Sequence, residues 1–140
     1  MAKAKIAVVI VILALLQVSC ATARKPDGGS GGTSAVMTVN GFQKGESGGG
    51  PAACDGQYHS DGDLIAALST VWFAGGSMCH RQIRITNSLP NGLNLVAEVV
   101  DQCDTQSGCK DNMIATSKRV WDALGLDSNI GVVPVTWSDA

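Results

Sequence analysis

Alternation of apolar and polar residues gives the first picture of the chain. Ala35-Val36-Met37-Thr38-Val39 has the period of a strand, and Asn40-Gly41 follows it as a turn signal. Arg81-Gln82-Ile83-Arg84-Ile85-Thr86 alternates throughout, which predicts a strand with one face in solvent. Pro90-Asn91-Gly92 turns the chain into Leu93 to Asp101, a predicted strand whose later part, Val96 to Asp101, should be largely buried. Val132-Val133-Pro134-Val135 leads through Thr136-Trp137 as the last strand. Leu64 to Phe73 is apolar enough to be buried, and periodicity does not choose between helix and strand there. Val71-Trp72-Phe73 leans toward strand, with Gly75-Gly76 closing it. One helix is well signalled: Ser117 as its cap, Lys118 to Leu124 with Val120, Trp121 and Leu124 on one side, and Gly125 as its stop. Short strands, tight turns and one or two short helices predict an all-β domain, closed or sandwiched.

The same pattern divides the chain. Lys3 and Lys5 precede an unbroken apolar run, Ile6 to Leu16, and small residues follow at Ala21-Thr22-Ala23. The run is far shorter than the roughly 20 residues that span a bilayer. It has the layout of a secretory signal peptide, so residues 1–23 are expected to be cleaved. Residues 24–34 are rich in Gly, Ser and Pro and predict a flexible linker. Residues 35–140 are then one domain. Gly45 to Pro51 is a second glycine tract, without the Gly-Lys-Ser/Thr ending of a phosphate-binding loop. It reads as a loop of close backbone approach.

Composition sharpens this picture. Charged residues make up 16% of the chain and the net charge is -2, which supplies no electrostatic footprint for nucleic acid or an anionic membrane. Of five cysteines, Cys20 lies in the signal segment. Cys54, Cys79, Cys103 and Cys109 remain, an even set in an exported chain, which predicts two disulfides with three possible connectivities. A zinc site needs closely spaced pairs, whereas 24, 23 and 5 residues intervene here. No metal and no cofactor is expected.

Five segments in order, Asn40–Asp63, Ala67–Phe73, Val96–Cys109, Ser117–Gly125 and Val135–Ala140, together resemble the kiwellin, or ripening-related, family of plant proteins. The resemblance implies a secreted six-stranded double-psi β-barrel with disulfides, the barrel of barwin-like proteins, expansin first domains and some endoglucanases. It also implies an apoplastic, defence- or ripening-associated role, which some members exert by binding secreted microbial enzymes. The chain departs from the family pattern in three places. A short glycine linker stands where longer members carry a cysteine-rich module. Cys109 to Asn112 is expected to run almost directly into the helix, where relatives have a longer loop. The third departure is chemical.

Asp101 ends a buried strand beside Cys103, at a position that lines the groove in the related barrel enzymes. Its alternative is a carboxylate that accepts backbone N–H bonds in the following loop. Glycoside cleavage needs two carboxylates across the bond. Resemblance puts the second in a D-x-S element before the helix, and here Ala115 occupies that place. Asp104, Asp111, Asp61 or Asp63 could substitute for it in space, but nothing in the sequence says so; with only one of the two acids in place, no enzymatic activity is expected. Ser107-Gly108 allows a turn that joins Cys103 to Cys109, leaving Cys54 with Cys79, and the expansin-type resemblance leans the same way. In Tyr58-His59-Ser60-Asp61, His59 and Asp61 suggest a metal pair or dyad, but a polar loop accounts for them as well. Asp101, Tyr58, His59, Asp61 and Trp72 are therefore the candidate binding residues, while Trp121 and Trp137 are expected in the core. The expected partner of this monomer is an extracellular protein, such as a secreted pathogen enzyme, or else a cell-wall glycan.

Overall fold

The computed structural model describes residues 32–140, so the expected signal segment and nearly all of the linker lie outside the described residues. Six strands are formed: β1 (Thr33–Val39), β2 (Ile65–Ser69), β3 (Gln82–Asn87), β4 (Asn94–Cys103), β5 (Met113–Thr116) and β6 (Val132–Asp139). Two short helices join them, α1 (Thr70–Phe73) and α2 (Lys118–Ala123). The strands close into a ring in the order β1-β5-β2-β4-β3-β6. The pairs β1–β5 and β2–β4 run parallel and the other four antiparallel, giving the mainly β, disulfide-bearing ring that the resemblance implies.

Period-2 patterning decides which side chains enter the ring. Met37 opposes both Ile114 and Val133, Ala66 opposes Val99, and Ile83 opposes Ala97. All of these belong to one buried cluster, which is the interior. Helix α2 adds Val120, Trp121 and Leu124 to it. Trp121 has no exposed surface, and its indole N–H donates to the Thr38 carbonyl at 3.3 Å. Gly125, at φ 71°, ends α2 with paired bonds from Gly125 N to Asp122 O and from Leu126 N to Trp121 O. That is a left-handed cap with its apolar contact, since Leu126 and Trp121 share the cluster.

Four expectations change. Thr33 and Ser34, expected in the linker, pair with Trp137 and Thr136 and so begin β1. Val71-Trp72-Phe73 is helical: Val71 is exposed, Phe73 buried, and Ala74 and Gly75 take left-handed backbone at φ 52° and 66°. Strand propensity loses there because Thr70 Oγ1 is held by Thr105 N and by Gln102 Nε2, which fixes a turn. Cys109 to Asn112 leads into β5 before the helix, a four-residue buried strand too short to show alternation. Ser117 sits at the N-cap of α2, but its hydroxyl donates to the Asp63 carbonyl at 2.6 Å and caps no helix amide.

Candidate functional site

The site begins with an irregularity in β4. Ala66 opposes Val99, yet Ala67 opposes Asp101, so Val100 is an extra residue in the ladder. A bulge of this kind re-aims the side chain that follows it. Strict alternation would turn Asp101 inward with Val99. Instead Asp101 shares the outer face with Val100 and Ala67, beneath the long loop between β1 and β2.

That loop, residues 40–64, packs on the outside of the ring. Phe42 and Ala52 cover Ile65, Ala67, Val100 and Ala115 as a second buried cluster. Ala53 N donates to Asp101 Oδ1 at 2.9 Å, Cys54 N to the Val100 carbonyl at 3.1 Å, and Arg119 N to the Asp61 carbonyl at 3.2 Å. Cys54 is bonded to Cys79 and Cys103 to Cys109, with Cα atoms 5.4 and 5.6 Å apart.

Two adjoining cavities, of about 230 and 280 Å³, meet at Asn40 and Ser47, which line both. The first is lined also by Val39, Glu46, Asp61 and Lys118. The second runs past Asp101, Gln102 and Asp104 to Ser107 and Cys109. Together they form a polar groove beside the Cys103–Cys109 loop.

Asp101 is placed between the outer loop and the second cavity. Oδ1 accepts from Ala53 N and, at 2.8 Å, from Gln102 N, while the residue lines the second cavity. Burial pushes its carboxyl above the ordinary aspartate value. The amides of Ala53 and Gln102 and the charge of His59 pull it back, and Asp55 adds to the rise. His59 Nε2 contacts Asp55 at 2.9 Å, not Asp61. Asp61 instead accepts from Phe42 N at 3.0 Å and lines the other cavity. Tyr58 is 40% exposed and lines neither cavity. Trp72 lies against Trp137, edge to face at 5.3 Å, also outside the groove. The structure thus pairs His59 with Asp55, places Asp101 and Asp61 on the two adjoining cavities, and sets Tyr58 and Trp72 apart.

Ala115 and Asp101 both oppose Ala67, one from each side. Adjacent strands are about 4.8 Å apart, which puts the two Cα atoms on the order of 10 Å apart on one face. Ala115 therefore occupies the place across from Asp101, and it is buried under Phe42 and Ala52. Among the described residues no three His, Cys, Asp or Glu side chains are grouped to hold a metal ion. The groove residues that sequence reasoning passed over are Asn40, Glu46, Ser47, Gln102 and Lys118. Asn40-Gly41 and the second glycine tract were the signal, since they mark where the loop folds back.

Comparison with known proteins now decides the family: the kiwellin-1 family model matches residues 17–140. The chain belongs to the kiwellin family. Ripening-related protein 6 of Oryza sativa subsp. japonica is 56% identical over 168 aligned positions covering all of both chains. Among solved structures, this kiwellin-family chain is similar to the expansin of Clavibacter michiganensis in complex with cellohexaose. The TM-score is 0.60 at 22% identity, covering 77% of this chain and 50% of that one. It is also similar to the Streptomyces papain inhibitor, with a TM-score of 0.58 at 19% identity over 78% and 94% of the two chains. At such identities the two structures establish a shared fold.

Proposed function

We propose that this is a secreted, non-catalytic plant protein of ripening- or defence-associated type, and that its groove binds an extracellular protein, a secreted microbial enzyme being the leading class. The observation that carries the reading is Ala115. Hydrolysis of a glycosidic bond needs an acid and a base or nucleophile on opposite sides. Across β2 from Asp101, where the resemblance would put the second acid, stands the buried methyl group of Ala115, and the nearest groove carboxylate, Asp104, lies on the same side, three residues along the chain. Among the described residues the groove is lined mostly by carboxylates, amides and hydroxyls, with Lys118, Val39 and the Cys103–Cys109 disulfide, and none of the lining residues is an aromatic that could stack on a sugar face. Such a lining suits the polar contacts of a protein loop. Secretion is supported by the amino-terminal pattern and by four paired cysteines.

A cell-wall glycan is the second reading, favoured by the fold shared with an expansin that holds cellohexaose. A weak glycoside hydrolase is the third, and Ala115 counts against it. Co-sedimentation of the mature protein with insoluble wall polysaccharides separates the first two. The proposal expects the protein to stay in the supernatant. Salt-resistant binding that weakens in Asp101→Asn would replace it with the glycan reading.

A further inference from the structure

Asn40-Gly41 and Asn91-Gly92 are the two places in the chain where asparagine precedes glycine. At such a pair the glycine carries no side chain to obstruct its nitrogen, which can close on the asparagine carboxamide carbon and turn that residue into aspartate or isoaspartate. The fold treats the two pairs differently. Asn91 is held at both ends of its carboxamide. Its Oδ1 accepts from Leu93 N at 3.1 Å and from Asn87 Nδ2 at 3.0 Å, and its Nδ2 donates to the Leu124 carbonyl at 3.4 Å. Gly92 N is itself bonded to the Leu89 carbonyl at 3.0 Å. Turning the Asn91 carboxamide onto Gly92 N gives up these bonds.

Among the described residues, the Asn40 carboxamide is bonded through Oδ1 alone, which accepts from the Ser47 hydroxyl at 3.4 Å. The same hydroxyl accepts from Gly41 N at 3.1 Å. A serine hydroxyl accepts and donates at once, so one Oγ bridges the nitrogen that would attack and the oxygen that would take up charge. The loop fixes this arrangement. Gly48 N donates to the Gly41 carbonyl at 2.9 Å, which folds Ser47 back over the pair, and Asn40 N donates to the Thr116 carbonyl at 2.8 Å. A Cβ on Gly41 would meet Glu46 Cβ at 2.6 Å, so the fold keeps glycine after Asn40. Asn40 and Ser47 line both cavities, where water reaches them.

We propose that Asn40 is a self-converting site, at which the Ser47 hydroxyl relays a proton and the groove gains a carboxylate as the protein ages. Gly41 N forms a bond to Asn40 Cγ while its proton passes to Ser47 Oγ and the Ser47 proton passes to Asn40 Oδ1. The tetrahedral carbon then collapses. The Cγ–Nδ2 bond breaks, the proton on Oδ1 moves to Nδ2, and ammonia leaves a cyclic imide. Water opens that imide at either carbonyl and gives aspartate or isoaspartate at position 40. Both products put a negative charge where the two cavities meet. Isoaspartate also adds a methylene to the backbone between the Thr116 bond and the Gly48 bond, which loosens the closure of the loop.

As control of partner binding, the conversion rests on the groove being the contact surface; as chemistry it does not. The test ages the folded mature protein at neutral pH and follows its peptides by mass spectrometry, which reads the change from amide to acid at each position. Asn40 is expected to convert well ahead of Asn91, and to lose most of that lead in urea, where no fold distinguishes the two pairs. Ser47→Ala should slow Asn40 by about tenfold, a modest share of what a positioned proton-transfer group supplies, and Ser47→Thr should restore the rate. The relay also marks the pH profile: the Ser47→Ala rate should rise in proportion to hydroxide, and the wild-type rate less steeply. Conversion led by Asn91, a lead that survives urea, or an Asn40 rate unchanged or raised in Ser47→Ala would overturn the site. Conversion of Asn40 in a protein whose groove binds nothing would uphold it and remove the proposed function instead.

Discussion

Asp101 Oδ1 holds two backbone amides, Ala53 N from the outer loop and Gln102 N from its own strand, and so ties that loop to β4. Asparagine offers the same acceptor without a charge. Asp101→Asn should therefore fold with wild-type stability or slightly above it, whereas Asp101→Ala should lose about 1–3 kcal/mol because two amides are left without an acceptor. Urea denaturation of the two variants distinguishes them. Burial raises this carboxyl, so stability should fall as pH increases from the ordinary aspartate value through the raised one, and Asp101→Asn should flatten that limb. At His80 it is the charged form of a base that is favoured. Its contact with Glu98, at 2.9 Å, raises the imidazole above its ordinary value. The stabilisation is complete below the ordinary histidine value and is lost as pH rises through the raised one, and Glu98→Gln should remove it in a thermal melt against pH. Ala115→Asp supplies the missing acid of a hydrolase, but it puts a carboxylate under Phe42 and Ala52. We expect a loss of about 3–5 kcal/mol, the cost of an unpaired buried charge, and no release of reducing sugar. A folded variant that hydrolyses a glucan would contradict this.

Elements became legible where their own residues carried the pattern. Strand β3 alternates because one face is wet, and α2 shows its apolar side and its glycine stop. Strand β5 is buried across Ile114, Ala115 and Thr116, so it has no alternation to read. Helix α1 carries strand-forming residues and is set by a threonine held from another segment. The bulge at Val100 is a register shift against β2, which one strand's sequence does not encode. His59 showed the same limit: Asp61 is as near in sequence as a partner needs to be, yet Asp55 is the one in contact. The two disulfides also act at this scale. Loop-closure entropy gives about 3.5 kcal/mol for Cys54–Cys79, which closes the longer loop, and about 2.2 kcal/mol for Cys103–Cys109. Cys54→Ser with Cys79→Ser should accordingly destabilise more than the pair at 103 and 109. The smaller loss should nevertheless disturb the groove more, because Cys103 and Cys109 line it. Denaturation curves and groove amide shifts of the two double variants check both halves.

At the scale of the whole molecule, one closed ring supplies the interior and the long β1–β2 loop supplies the surface that covers β2, β4 and β5. The ring is the part shared with an expansin and a protease inhibitor at low identity, and so it fixes no function. The loop does three things: it buries Ala115, holds Asp101 by one oxygen, and walls a groove of polar groups. The central claim is that this groove binds a protein. Ser107 is exposed on its wall, and Ser107→Trp fills the channel without touching the hydrogen bonds described for the loop. The most direct measurement is affinity capture from extracellular fluid of infected tissue, with wild-type and Ser107→Trp proteins as parallel baits. The account predicts a protein retained by the wild type and missing from the Ser107→Trp eluate. Identical proteins on both baits, or wall glycan as the species that distinguishes them, would contradict it.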